Sequence, residues 1–310
     1  LDHQNAAYLP LDPSTGAPVD VGVPLEAGSA ESGVASWPLF EAAEVAYPGP
    51  QVRHINHVRG ELGGHFTQLG LDLSTYGTSE MVQAEPEDFR IAPGTPLFDA
   101  SWVTALETMN GPGMGRAVET LNDWFAFLNL GFPMAATGVS DTHNRFRSRA
   151  GYGRTLVPFP YDGPCMAHLD PEFDARFGEA INAQAISVGS GLFMTATLSG
   201  SGEPGGMGDL VPALGGEATM TLRVQTPSWT TVDVIEIFTN TVVYANPGTD
   251  RSFGNPSELG PAITLRSPGD FVMEAVPLDP SDPEAHYRFE ATIEVPLSLI
   301  EDTWVVATAR

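Results

Sequence analysis

Two stretches of the chain alternate apolar and polar residues with a period of two. Ala218, Met220, Leu222 and Val224 alternate with Thr219, Thr221, Arg223 and Gln225. Tyr287, Phe289, Ala291, Ile293 and Val295 alternate with Arg288, Glu290, Thr292 and Glu294. Successive side chains of a strand point to opposite faces, so each stretch predicts a strand with one buried face. Thr231–Thr239 and Asp302–Thr308 predict further strands. Ser201-Gly202-Glu203-Pro204-Gly205-Gly206 and Asn246-Pro247-Gly248 are turn signals between them. The natural assembly is an immunoglobulin-like β-sandwich over residues 189–310, beginning near Gly189-Ser190-Gly191. No long helix is expected after residue 200.

The earlier part has a different rhythm. Ala117, Leu121, Trp124 and Leu128 recur at helical spacing, with Val118 and Phe125 beside them. They predict an amphipathic helix running to Asn129 and stopped by Gly131 and Pro133. Ser101–Thr108 predicts a strand before it, and Met134-Ala135-Ala136 reads as a buried strand after it. Gln51–Arg59 predicts a short strand ending in His57, followed by the glycine-rich run 60–64. Trp37–Ala46 predicts a short helix, and the Pro-, Gly-, Ser- and Asp-rich stretch 7–38 a long loop. Strand, helix and strand in succession make residues 1–188 an α/β unit. In such folds ligand residues gather at the carboxyl ends of strands.

Candidate chemistry falls at those ends. Asp141 and His143 follow the third strand two residues apart, so on extended chain their side chains point the same way. A carboxylate and an imidazole emerging together suit zinc, manganese or iron. His57 stands at the end of an earlier strand, and His3 near residue 1. His54 has the opposite parity to His57 and reads as structural, whereas His65 follows the glycine-rich run and is a weaker site candidate. His168 and His286 read as surface residues, and Trp124 as core. Glu107 either orients a histidine or reaches solvent at a strand end. Arg59 and Arg154 either steady an anionic oxygen or pair with a neighbouring carboxylate. Gly138-Val139-Ser140-Asp141-Thr142 is not a nucleophile elbow, because Thr142 stands where that motif needs its second glycine.

Taken in order, these motifs resemble the metallohydrolases of the PHP superfamily, and more narrowly the CehA/McbA-like branch. The resemblance rests on His3-Gln4-Asn5-Ala6, on Asn56-His57-Val58-Arg59 with its glycine-rich run, and on Phe66, Leu69-Gly70-Leu71-Asp72. It continues through Phe98-Asp99-Ala100, Ala105-Leu106-Glu107, Asn110-Gly111, Asp123-Trp124-Phe125 and Leu128-Asn129. Gly138-x-Ser140-Asp141-x-His143 and Gly151-Tyr152-Gly153-Arg154-Thr155 complete it. It implies a partial PHP-type (β/α) barrel over residues 1–188. It also implies a divalent metal held by His3, His57, Asp141 and His143. Catalysis would use Asp141, Arg59 and Arg154, with a bound metal lowering the pKa of a water to about 7. The family has Gly where Asp2 stands and Pro where Val58 stands. Its members also carry upstream His-x-His, Asp-His and glutamate ligands, so the resemblance implies the C-terminal portion of a longer, processed chain, with that upstream segment as a partner.

Composition narrows the partners. The formal net charge is −25, and all 14 basic residues are arginine. Such a surface repels nucleic acid and anionic lipid. No apolar run approaches the roughly 20 residues of a membrane span. The single cysteine, Cys165, excludes an internal disulfide. The 33 Gly, the 27 Pro and the missing lysine favour a secreted or periplasmic location. The resulting expectation is a metal-dependent hydrolase of small-molecule phosphoesters or carboxylic or carbamic esters. The alternative is a non-catalytic secreted binding or structural module with a degenerate metal site.

Overall fold

The computed structural model describes residues 4–7, 51–59, 66, 100, 103–111, 114–142, 151–158, 173–241, 260–279, 281–282 and 286–310. Strands β1 (Gln4–Ala7), β2 (Val52–Ile55), β3 (Ala105–Asn110) and β4 (Ala135–Val139) form one sheet in the order β1-β2-β3-β4. β1 runs antiparallel to β2, with Gln4 opposite Ile55. β2, β3 and β4 are parallel to one another.

Helix α1 (Met114–Asn129) links β3 to β4. It ends where the sequence says it must. Gly131 takes φ +82°, a conformation a Cβ would resist. The amide of Phe132 then donates to the carbonyl of Phe127 at 2.9 Å, and that of Gly131 to Leu128 at 3.1 Å. This reciprocal pair closes the last turn and satisfies carbonyls the helix would otherwise leave open.

The sheet buries both faces. On one, Ile55 and Leu106 pack with Phe66, Phe125, Phe127 and Met134. On the other, Val52, Ala105 and Ala135 pack with Ile181 and Ile186, the former on helix α2 (Phe173–Asn182). The small residues at 105 and 135 let that second layer come close. Strands β5 (Arg154–Leu156) and β6 (Ser187–Gly189) pair antiparallel with each other and press against β4. Glycines make the approach possible. A Cβ on Gly138 would lie 2.6 Å from Val188, and one on Gly153 would lie 2.5 Å from the carbonyl oxygen of Val139.

The second half is β-rich, and among its described residues no helix follows residue 200. Strands β7 (Phe193–Ser199), β8 (Glu217–Pro227), β11 (Glu274–Pro277) and β12 (Tyr287–Ser298) form a sheet in the order β11-β12-β8-β7. Strands β9 (Val234–Thr239), β10 (Ile263–Arg266) and β13 (Val305–Ala309) form another, β10-β9-β13. The register of β8 and β12 sets Leu222 opposite Ile293 and Met220 opposite Val295. Those side chains share a core with Ile235 and Ile237 of β9, so the two sheets pack face to face as a sandwich. The alternation predicts this burial correctly at 218–225 and 291–295, whereas Tyr287 at the start of β12 is exposed and Phe289 half-buried.

The partial barrel expected over residues 1–188 appears only as its sheet, with no closure among the described residues. The four-stranded sheet is open among the described residues, with β1 and β4 at its edges. Closure needs further parallel strands at a common tilt. Here the chain after β4 makes a separate antiparallel pair that packs against it. The strand expected at Ser101–Thr108 occupies Ala105–Asn110, and the one expected to end in His57 stops at Ile55. Apart from Ala7, which ends β1, the long loop at 7–38 and the helix at 37–46 lie outside the described residues.

An aromatic joint ties the halves together. Phe238 of β9 points away from the sandwich core and meets Phe125 of α1 at 5.3 Å between ring centroids. Trp304 meets Phe125 at 4.8 Å and donates its indole hydrogen to Asn129 Oδ1 at 2.8 Å. Emptying a buried phenylalanine site costs about 3–5 kcal/mol. Phe125→Ala should therefore lower the urea midpoint in one cooperative transition, followed by far-UV circular dichroism and tryptophan fluorescence. Two separate transitions, only one of them displaced, would contradict a shared core.

Candidate functional site

The chain leaves β2 through Asn56 and turns at His57, whose φ is +49°. Non-glycine residues take this region rarely, so the turn has to be held. Two contacts hold it. The backbone amide of His57 donates to Glu107 Oε1 on β3 at 3.1 Å. Two residues on, Arg59 grips Asp123 of α1 through Nε at 2.7 Å and Nη2 at 2.8 Å. The guanidinium also lies over the Phe66 ring, 5.6 Å from its centroid. Asp123 is 1 % exposed. Burial pushes its carboxyl pKa up, and the Arg59 charge and hydrogen bond oppose that shift. Of the two roles expected for Arg59, the structure displays the pairing with a carboxylate.

Glu107 is also buried, at 4 % exposure. Loss of hydration raises its pKa. The Asn110 hydrogen bond, the His57 amide and the His57 charge pull the other way, while Asp141 adds to the rise. Glu107 therefore reaches the main chain of His57 rather than solvent, and Asp141 stands near enough for its charge to be felt.

Asn110 completes the cluster, and sequence alternation alone does not place it there. On a regular strand residues 107 and 110 face opposite ways. The β3–β4 register shifts between Glu107 and Met109, so β3 carries a bulge at Thr108. The Thr108 hydroxyl donates to the Thr137 carbonyl at 3.1 Å. The extra residue brings Asn110 round to the side of Glu107. Its Nδ2 then lies 2.7 Å from Glu107 Oε1 and 3.2 Å from His57 Nδ1. Asn110-Gly111 is visible in the sequence, yet nothing in the pattern marks the bulge that turns it inward.

Beyond β4, Asp141 takes φ +45°. The amide of Gly111 donates to the carbonyl of Val139 at 2.9 Å, which joins the turns leaving β3 and β4. Arg154 opens β5 with an exposed side chain, its Nη2 lying 2.6 Å from where a Cβ on Gly151 would be. Its backbone nitrogen lies 3.1 Å from the position a Cβ on Gly138 would take. Arg154 is thus pressed against β4 a short distance before Asp141.

His54 sits deeper on the same sheet face. Its Nε2 is 2.6 Å from Thr137 Oγ1, and that hydroxyl donates to the Leu106 carbonyl at 3.2 Å. The Thr137 hydroxyl thus bridges the His54 ring and the Leu106 carbonyl. Burial pushes its pKa down to about 4. This agrees with the structural role expected for His54. Trp124 donates to the Met134 carbonyl at 2.7 Å and packs on the core, and His286 is exposed.

His57, Glu107 and Asn110 thus gather at the carboxyl side of parallel strands, and Asp141, beyond β4, acts on Glu107 through its charge. His3, His143, His65 and His168 lie outside the described residues. Among the described residues no three His, Cys, Asp or Glu side chains group as a metal site. His57 Nδ1 and Glu107 Oε1 are 3.9 Å apart, a spacing one cation could bridge, and their donor types suit a divalent metal. No helix among the described residues is long and apolar enough to cross a membrane. No family model matches the chain, and neither does any curated protein or solved structure.

Two outcomes follow from the buried pairs. Asp123→Ala leaves the Arg59 guanidinium without its carboxylate, and should destabilise the fold by about 3–5 kcal/mol in urea denaturation. A loss under about 1 kcal/mol would place the pair among surface bridges. The second outcome concerns pH. Folded His54 takes up its proton only near pH 4, against 6.5 for an unperturbed ring. Its contribution to stability is therefore whole above pH 6.5 and lost as pH falls toward 4. His54→Gln should flatten the fall in urea midpoint between pH 7 and 5. An undiminished fall would assign the acid sensitivity elsewhere.

Proposed function

We propose that this chain carries the centre of a PHP-like, metal-dependent hydrolase acting on small phosphoesters or carboxylic or carbamic esters. The observation that supports it is the pairing of His57 with Glu107 at the carboxyl side of parallel strands, with the Asp141 charge acting on Glu107. Ligands gather there in open α/β sheets. In this reading His57 and Asp141, with His3 and His143, hold zinc, manganese or iron. The bound ion would supply Lewis acidity and an acidified water. Glu107 fixes the main chain of His57, and the Arg59–Asp123 pair anchors the turn beyond it. Arg154 steadies an anionic substrate oxygen. The sandwich is of immunoglobulin-like type and walls or attaches the site. The protein works after export.

One observation favours a second reading, a secreted binding or structural module. The Asn110 amide already answers Glu107 and His57, so this part of the cluster is complete without a cation.

Metal content of the purified chain and hydrolysis of p-nitrophenyl phosphodiesters and esters, with and without Mn²⁺ or Zn²⁺, separate the two. Asp141→Asn keeps the side-chain shape and removes the charge that offsets a cation. It should weaken metal binding and abolish turnover with no loss of thermal stability. Metal-dependent turnover untouched by Asp141→Asn would overturn this site. A chain that binds no added metal and turns over nothing would leave the binding module.

A further inference from the structure

We infer that Asn110 is a positioning residue that sets the tautomer of His57 and latches its ring against metal binding. The amide nitrogen of Asn110 is 2.7 Å from Glu107 Oε1. The same oxygen accepts the His57 backbone hydrogen at 3.1 Å, so it acts as an acceptor in this cluster. Against the ionised carboxylate, which only accepts, the nitrogen is the end of the amide that faces it, because a carbonyl oxygen there would meet a lone pair. An amide nitrogen carries two hydrogens. One goes to Glu107, and the other is directed at His57 Nδ1, 3.2 Å away.

His57 Nδ1 is then an acceptor, and the neutral ring must carry its hydrogen on Nε2. A ring in that state gives no lone pair to a metal through Nε2. It gives none through Nδ1 either while the Asn110 amide occupies that direction. The bulge at Thr108 is what places the latch, since it turns Asn110 to the Glu107 side. Metal uptake by His57 thus requires the amide to turn over, with its oxygen toward the ring, or to withdraw. This differs from the usual arrangement, in which the second ring nitrogen of a metal-binding histidine donates to a carboxylate or carbonyl.

The tautomer claim stands on geometry alone, whereas its bearing on metal rests on the hydrolase reading. The test is ¹⁵N NMR of the histidine rings in the full chain, with His57 assigned from His57→Gln. The metal-free protein should show His57 protonated on Nε2. Asn110→Asp offers Nδ1 an acceptor, so the ring should switch to Nδ1–H. Zn²⁺ affinity, titrated by calorimetry, should then rise by about tenfold, the low end of what partners beyond the ligands contribute. Asn110→Ala should shift the tautomer balance without adding charge, and circular dichroism confirms that each variant folds. A wild-type ring already protonated on Nδ1, or a tautomer unmoved in both variants, overturns the inference. The wild-type spectrum decides even if neither variant folds. If the tautomer switches but no form binds Zn²⁺, the tautomer claim stands, and the latch falls together with the hydrolase reading. If wild type binds Zn²⁺ with its tautomer already Nδ1–H, the hydrolase reading stands and the latch falls.

Discussion

The buried pair of Arg59 and Asp123 is the contact on which the site's geometry depends. It joins the turn after β2 to the middle of α1, with the carboxylate 1 % exposed and two charge-assisted bonds of 2.7 and 2.8 Å. An ion pair of this kind earns little net stability, since desolvation offsets most of the attraction. Its value is geometric. A bidentate fork fixes distance and direction together, and Arg59 lies two residues beyond a histidine in a left-handed conformation. The same guanidinium covers Phe66, whose ring lies 5.6 Å from that of Phe127. One side chain thereby connects the polar cluster to the aromatic core.

The polar cluster follows from that constraint in a definite order. With the turn held, the His57 amide faces Glu107 rather than water. Glu107 is buried, and such a carboxylate needs donors. It finds one in the His57 main chain and one in Asn110, the second only because β3 carries a bulge. Below this cluster His54 and Thr137 form a separate polar contact on the same sheet face. The interior between the sheet and α2 is thus apolar at Val52, Ala105 and Ala135, and polar toward the carboxyl ends.

Period-two and helical spacing are properties of single segments, and those parts of the fold were legible in the sequence. The pattern at 218–225 and 287–295 gives two long paired strands. Gly131 gives the end of α1. The helix spacing was clear because apolar residues recur at its period, although Phe125, Ala126 and Phe127 carry more of the burial than Leu121, Trp124 and Leu128. The barrel was not legible, because closure depends on which strands pair, and pairing is a long-range property. The close approach of β5 and β6 to β4 depends on Gly138 and Gly153, which look like ordinary loop glycines in the sequence. At the site, His57 and Asp141 were legible as polar residues at strand ends. Glu107 carried two readings until its donors were known. Asn110 escaped because alternation assigns it to the opposite face. For Arg59 the sequence offers a rare cation and no means of locating its carboxylate 64 residues away.

The aromatic joint has a consequence for how the chain can be divided. Gly189 to Gly191 looks like a natural seam, since the composition and the periodicity change there. The core does not respect it. Phe238 and Trp304 belong to the β-rich half by sequence, yet they pack against α1 with Phe125. A cut at the seam would leave each piece with a raw aromatic face, and contiguous apolar surface of that kind drives association. The boundary written in the sequence is therefore a change of architecture within one packed body, and expressing either side alone would yield a sticky fragment.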